Sequence, residues 1–286
     1  MAFIIITEST CDLSRSYIEA HPDLAVIPLT YYIDGREYRD DGKGLSSKEF
    51  YDILRKGKTA TTGQVGIHAF CQEAVPLLEQ GFDLLYLGMS SGMSGSFQSG
   101  FCALQELRQQ FPARAMEAVD SKAASLGLGL LVHLCLAQKA AGRSFSEVCA
   151  FARKSAEELC EWFTVDDLMF LKRGGRISAA TALVGAALGI KPILHVDSEG
   201  RLVAVGKVRG RELAIRTLAG KIAALTAQDV IAVSHGDCPE DAEKLVRLIR
   251  ERLQFQGEIL LGPVGPVVGA HGGPGSLALF FKGDNR

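Results

Sequence analysis

The chain has 286 residues, 47% of them hydrophobic, with 31 lysines and arginines against 33 aspartates and glutamates, a net charge of −2 and a pI near 6.3. This length exceeds what most single cores support and points to two domains. The balanced charge excludes both the basic footprint of a nucleic-acid binder and a polybasic patch for an anionic membrane. Seven scattered cysteines, at 11, 71, 102, 135, 149, 160 and 238, include no C-x-x-C pair. They read as reduced, buried thiols of a cytoplasmic protein rather than as disulfides or a zinc site.

From the first residues onward, short apolar runs alternate with longer helical patterns. "FIIIT" at 3–7, "LLYLG" at 84–88 and "AMEAV" at 115–119 lack strict alternation, as strands of a parallel sheet covered on both faces do. The first of them is too short and too poor in flanking basic residues for a signal peptide. Helical patterns cover 14–20, 46–56, 67–80, 96–110, 122–141 and 145–159. Asp34-Gly35, between aromatic and β-branched flanks, predicts a protruding hairpin at 29–40. No apolar window reaches the ~20 residues of a membrane span, so no integral membrane contact is expected.

Beyond residue 160 the pattern changes. A hairpin around Ser198-Glu199-Gly200 is followed by a helix at 210–225, a strand at 229–234, a helix at 239–253 and strand-like runs near 257–261 and 276–282. The expected fold is α/β: an N-terminal parallel-sheet, Rossmann-like domain over 1–162 and a C-terminal α+β domain with a mixed sheet over 163–286.

Five polar loops have the composition of sites. "TESTCD" at 7–12 follows the first strand, where open α/β sheets place their ligand crevice, although a helix cap explains it equally well. "TATTG" at 59–63 offers three threonines where a cap needs one hydroxyl. "GMSSGMSGS" at 88–96 interleaves serines with glycines that let a ligand approach the backbone at a helix start, which favours an anion. "LKRGGRIS" at 171–178 sets three cations around a glycine pair, suited to a phosphate or to a solvated turn. "GAHGGPGS" at 269–276 places His271 in a glycine and proline loop.

Gly88-Met89-Ser90-Ser91-Gly92 spells the G-x-S-x-G of a hydrolase elbow, and Asp120 or Asp166 with His271 would complete a triad in the required order. A serine esterase using Ser90 is therefore one alternative, and a phosphate or phospho-metabolite binder using the Gly/Ser loop and Arg176 is another. Against the esterase, Ser90 is followed by a further Gly/Ser turn rather than by a helix. There is no Walker A pattern, no G-x-G-x-x-G after the first strand and no metal-ligand spacing.

Taken together, "TEST-CD", "TATTGQ", "SSGMSGSFQS", "VDS" at 119–121, "LKRGGRIS", "KPIL" with "GKVRGR", and the final "HGGPG" resemble the DegV family of bacterial fatty-acid-binding proteins, over essentially the whole chain. The chain departs from the family pattern at Glu8, where aspartate is common, and at Gly63 and Val65, where serine and proline are common. The resemblance implies two α/β domains with a long-chain fatty acid in a tunnel between or within them. It implies a carboxylate held by Thr61 or Thr62 and by Ser94 with Gly95, and no cofactor besides the bound lipid. It further implies a non-catalytic carrier that offers the carboxylate to a separate ATP-dependent fatty acid kinase subunit, with Arg176, Arg209 and His271 at the partner or acyl-phosphate contact.

Overall fold

The computed structural model describes residues 2–177, 189–226 and 228–283. Ser178, the last residue of the Gly-Gly-Arg loop, lies outside them.

Strand β1 (Phe3–Glu8) sits between β2 (Leu24–Ile27) and β6 (Asp83–Gly88), and β7 (Met116–Asp120) completes a parallel sheet in the order β2-β1-β6-β7. Every residue of β1 and β6 is buried, the signature of a sheet covered on both sides. Ile4, Ile6, Leu84 and Tyr86 face α3 (Ile67–Glu79) and α4 (Ser96–Gln110). Phe3, Ile5, Leu85 and Leu87 face α5 (Leu126–Ala140) and α6 (Phe145–Glu158). Ser144 and Glu147 start α6 with a reciprocal capping box, as Ser46 and Glu49 start α2 (Ser47–Arg55).

The expected hairpin is β3 (Thr30–Ile33) and β4 (Arg36–Arg39), closed by Asp34 and Gly35, both at positive φ. That geometry is the mirror-image turn whose twist suits two-residue hairpins. The hairpin does not protrude alone, because β5 (Ala60–Thr62) pairs with β3 and makes a three-stranded sheet.

The second half forms a six-stranded mixed sheet, β10-β9-β8-β13-β11-β12, comprising β8 (Leu159–Thr164), β9 (Ile190–Val196), β10 (Leu202–Arg209), β11 (Val230–His235), β12 (Glu258–Pro263) and β13 (Leu277–Lys282). The change of sheet comes with β8, so a division at 162 falls inside this strand. One face carries α8 (Arg211–Ala219), shorter than the sequence pattern suggests because it stops at Gly220, and α9 (Pro239–Leu253). The short α7 (Met169–Arg173) precedes β9. His271 is not in a loop: it lies in the last turn of α10 (Pro266–Gly272), which starts at a proline, buries Val267 and Ala270, and ends at Gly273 with φ 74°.

The two sheets share one core. Helix α5 buries Leu126, Leu128, Leu130, Leu131, Val132, Cys135 and Leu136, leaving it almost no polar face, and the same cluster holds Ile5 from β1 and Phe280 from β13. Glycines allow this approach: a Cβ on Gly127 would press on the Phe280 ring at 2.7 Å, and one on Gly129 on the Cys11 carbonyl at 2.5 Å. Gly127→Leu, which improves helix propensity, is therefore expected to lower unfolding free energy by about 1–3 kcal/mol through overpacking. Urea denaturation followed by circular dichroism tests it, and an unchanged or raised midpoint would contradict the shared-core account.

Candidate functional site

In the first sheet β1 leads to β2 on one side and lies beside β6 on the other. The strand order thus reverses between β1 and β6, the position where open α/β sheets leave a crevice beyond the strand ends. Glu8, the last residue of β1, is fully buried there. Its carboxylate accepts from the Tyr86 hydroxyl at 2.5 Å, from the Met89 N–H at 3.3 Å and from the Thr10 hydroxyl at 3.4 Å, and Ser96 also bonds to it. Burial raises its pKa, and these donors oppose the shift. Glu8 therefore ties the end of β1 to the whole Gly/Ser loop.

That loop is set from its helix end. Ser94 Oγ donates to Ser96 Oγ at 3.1 Å and accepts the Ser96 N–H at 3.2 Å, while Ser96 Oγ accepts the Val65 N–H at 3.1 Å. A proline at 65 could not make the last bond. Gly95 is the exposed N-cap of α4, and a Cβ there would collide with the Gln64 amide oxygen. Ser94 and Gln64 both face a cavity of about 300 Å³ that runs between the two sheets. This volume sits at the lower end of the roughly 300–1,000 Å³ typical of small-molecule sites.

Most of the cavity wall is apolar: Leu29, Met89, Met93, Phe163, Val165, Leu171, Leu202, Val264, Val267, Val268, Leu277 and Phe280 all contribute. Its polar lining includes Thr62, Gln64, Ser94, Ser125, Glu161, Arg176, Ser234, His271 and Ser276, of which Thr62 bonds to His271 and Arg176 lies beside His271. Thr62, Arg176 and His271 also line a second recess of about 350 Å³, with Thr59, Thr61, Phe170 and Arg173 around them. These three side chains form the partition between an inner apolar cavity and an outer, cation-rimmed one.

Side-chain alternation along β5 separates its threonines. Thr62 is half-buried and faces both spaces, whereas Thr61 is exposed and reaches only the outer recess. Thr62 Oγ1 lies 2.9 Å from His271 Nε2, joining β5 to α10. The His271 ring lies against Gly174, which has no room for a Cβ, and its Nδ1 is buried without a partner among the described residues. Burial, with the Arg176 charge nearby, depresses its pKa to about 4, so the ring is neutral at physiological pH. Arg176 is half-buried and donates to the Met93 carbonyl at 3.0 Å and the Gly174 carbonyl at 2.5 Å. Among the described residues no carboxylate pairs with it, and burial lowers its pKa. A half-buried guanidinium of this kind suits a planar anion.

The remaining sequence candidates lie elsewhere. Arg209 is exposed at the end of β10, opposite Ile190, and lines neither space. Ser90 is fully buried, donates to the Gly200 carbonyl at 2.7 Å and accepts the Gly92 N–H, and α4 begins only at Ser96. His271 is engaged by Thr62, Asp120 by the Ser91 and Lys122 N–H groups, and Asp166 by Lys191. The esterase triad is therefore not assembled, because each of its members is committed to another group. The structure also adds residues that composition did not single out. Glu8, Gln64 and Ser276 lay within quoted motifs, but Ser125 and Ser234, which also face the inner cavity, carried no signal.

Among the described residues no helix is long and apolar enough to cross a membrane. A family model described as an uncharacterised protein of the DegV family matches residues 2–284. A DegV domain-containing protein of Clostridium perfringens is 38% identical over 288 residues, 99% of this chain and 98% of its own. A solved DegV family protein from Thermus thermophilus, described by its fatty acid binding, superposes with a TM-score of 0.86 at 29% identity, covering 99% of this chain and 100% of the other. A fatty acid binding DegV family protein from Streptococcus agalactiae does so with a TM-score of 0.85 at 27% identity, over 100% of both chains.

The depressed His271 pKa gives a pH test. Between about 6.5 and 4 the unfolded state binds the proton and the folded state does not, so the His271 contribution falls as pH drops through that window. The difference in unfolding free energy between the native protein and His271→Gln should therefore shrink by up to about 3 kcal/mol on going from pH 7 to pH 4. A pH-independent difference would mean that His271 titrates normally.

Proposed function

The chain belongs to the DegV family, and from that premise we infer that it binds one long-chain fatty acid, with the acyl chain in the inner cavity and the carboxylate at the partition. The observation that carries this reading is a largely apolar cavity that meets an outer, cation-rimmed recess at Thr62, Arg176 and His271, with Ser94 also on its wall. Such a cavity matches an amphipathic acid and offers little to a small phosphate ester.

The neutral His271 supports the head-group assignment. With its proton on Nε2 it donates to Thr62 Oγ1, which frees the threonine hydroxyl to donate to a carboxylate oxygen; the buried Nδ1 is then an acceptor rather than an orphaned donor. Ser94 donates to the same carboxylate by turning its hydroxyl from Ser96, and Arg176 supplies the charge. The wall supplies affinity at about 0.8 kcal/mol for each methylene taken from water, before ordering costs.

The outer recess supports a presenting role. A carboxylate at the partition is reachable from the side of Thr61, Arg173 and His271 while its chain remains enclosed. The protein is then a carrier that offers the acid to a separate ATP-dependent fatty acid kinase subunit. Arg176 and His271 flank the group to be phosphorylated, and Arg209, exposed at the end of β10 and lining neither space, is assigned to the partner surface.

Native mass spectrometry of the purified protein should find one long-chain acid bound, and a protein that takes up none would overturn the reading. Ser94→Ala and Thr62→Ala should each weaken retention roughly tenfold to a hundredfold, the worth of a hydrogen bond to a charged group. Unchanged affinity in both would remove the head-group assignment but not the cavity. Incubation with ATP and the kinase subunit should produce an acyl phosphate trapped by hydroxylamine as a hydroxamate, and Arg176→Ala should suppress it more than it suppresses binding.

A further inference from the structure

Glu8 is a buried carboxylate that the fatty-acid reading does not use. It ends β1, is fully buried, and lines neither the inner cavity nor the outer recess. The groups bonded to it come from three places: the Tyr86 hydroxyl from β6, the Met89 N–H and the Ser96 hydroxyl from the Gly/Ser loop and the start of α4, and the Thr10 hydroxyl from the turn after β1. Among the described residues no lysine, arginine or histidine pairs with it. Burial favours the neutral carboxyl, but four donors pointed at two oxygens are the surroundings of an ionised one, whose charge is solvated by hydrogen bonds and not cancelled.

A short chain of hydroxyls joins this charge to the head-group site. Ser96 gives its one proton to Glu8, so toward Ser94 it is an acceptor only, as it is for the Val65 N–H at 3.1 Å. Ser94 Oγ accordingly donates to Ser96 Oγ at 3.1 Å while accepting the Ser96 N–H at 3.2 Å. To donate to a bound carboxylate, Ser94 must first give up its bond to Ser96. Three hydrogen bonds of roughly 3 Å each then separate the Glu8 charge from that carboxylate, a range over which like charges in a protein still repel. Both effects weaken the hold on an anion. An alcohol escapes them, because it carries no charge and can donate to Ser94 Oγ instead of accepting from it.

We propose that Glu8, acting through Ser96, holds the affinity of the head-group site below what Thr62, Ser94 and Arg176 would otherwise reach, so that the bound carboxylate can be released. Glu8 is a positioning residue in this account: it touches Ser96 and not the ligand. The inference rests on the fatty-acid reading and adds to it the group that sets how tightly the acid is held.

The test is calorimetric titration of delipidated protein with myristic acid and with myristyl alcohol, which share a chain and differ in the head group. Glu8→Gln keeps the shape and removes the charge, and it should raise the ratio of acid to alcohol affinity roughly tenfold. Glu8→Asp keeps the charge, and its ratio should stay close to the native one. A purely structural brace would make Glu8→Gln weaken acid and alcohol alike, so an unchanged or lowered ratio in that variant would overturn the proposal and leave the fatty-acid reading intact. Should Glu8→Gln not fold, Ser96→Ala gives the second measurement: it frees the Ser94 proton and should raise the ratio severalfold, and a ratio that stays or falls overturns the proposal. Uptake of neither ligand by the native protein would remove the underlying reading together with the proposal.

Discussion

Helix α5 is the constraint on which the rest of the molecule depends. Its sequence, LGLGLLVHLCLAQKA, has almost no polar face, and a helix that is apolar nearly all round must be enclosed. One sheet cannot enclose it. The parallel sheet covers it with Ile5 and Leu85, and the mixed sheet covers it with Ala232 and Phe280. Gly127 and Gly129 let both approach to contact distance. The two halves of the chain therefore close on a common core, and the inner cavity lies between them at the amino end of α5, where Ser125 stands.

Closure of two halves over one helix also explains why the candidate site is composite. Thr62 comes from a strand of the small three-stranded sheet, Ser94 from the loop after β6, Arg176 from the turn after α7, and His271 from the last turn of α10. The partition formed by Thr62, Arg176 and His271 is held by bonds between distant segments, such as Thr62 to His271 and Arg176 to the Met93 carbonyl. Its electrostatics follow from burial. A half-buried guanidinium without a carboxylate partner among the described residues and a histidine kept neutral make a place where a monoanion adds charge balance. Glu8, also buried, holds the Gly/Ser loop against the first sheet by accepting donors from strand and loop together.

Local patterns in the chain were sufficient for most of the elements. The apolar runs at 3–7 and 84–88, the Asp34-Gly35 turn and the two capping boxes are short-range signals, and each produced the element it announces. Three strands escaped that reading. Strand β2 is four residues, β5 is three, and β8 follows α6 without a break, so none has the flanking turns that mark a strand. Helix α10 was hidden by its own glycines, which read as loop until Val267 and Ala270 find a core to bury into.

The same division runs through the site. The sequence by itself determined that hydroxyls, glycines and cations occur in loops at strand and helix ends, since those residue types are legible as composition and their order carries the DegV family pattern. It could not separate Thr61 from Thr62, because only pairing of β5 with β3 decides which face each threonine takes. Nor could it dismiss Ser90, whose G-x-S-x-G context is correct in one dimension and whose hydroxyl is committed to Gly200, 110 residues away. Ser234 was invisible for the same reason: a serine inside a strand is a cavity group only when another sheet leaves a space in front of it. Hydrogen-bond partners, burial and charge balance are properties of neighbours in space, and tertiary packing alone chooses those neighbours.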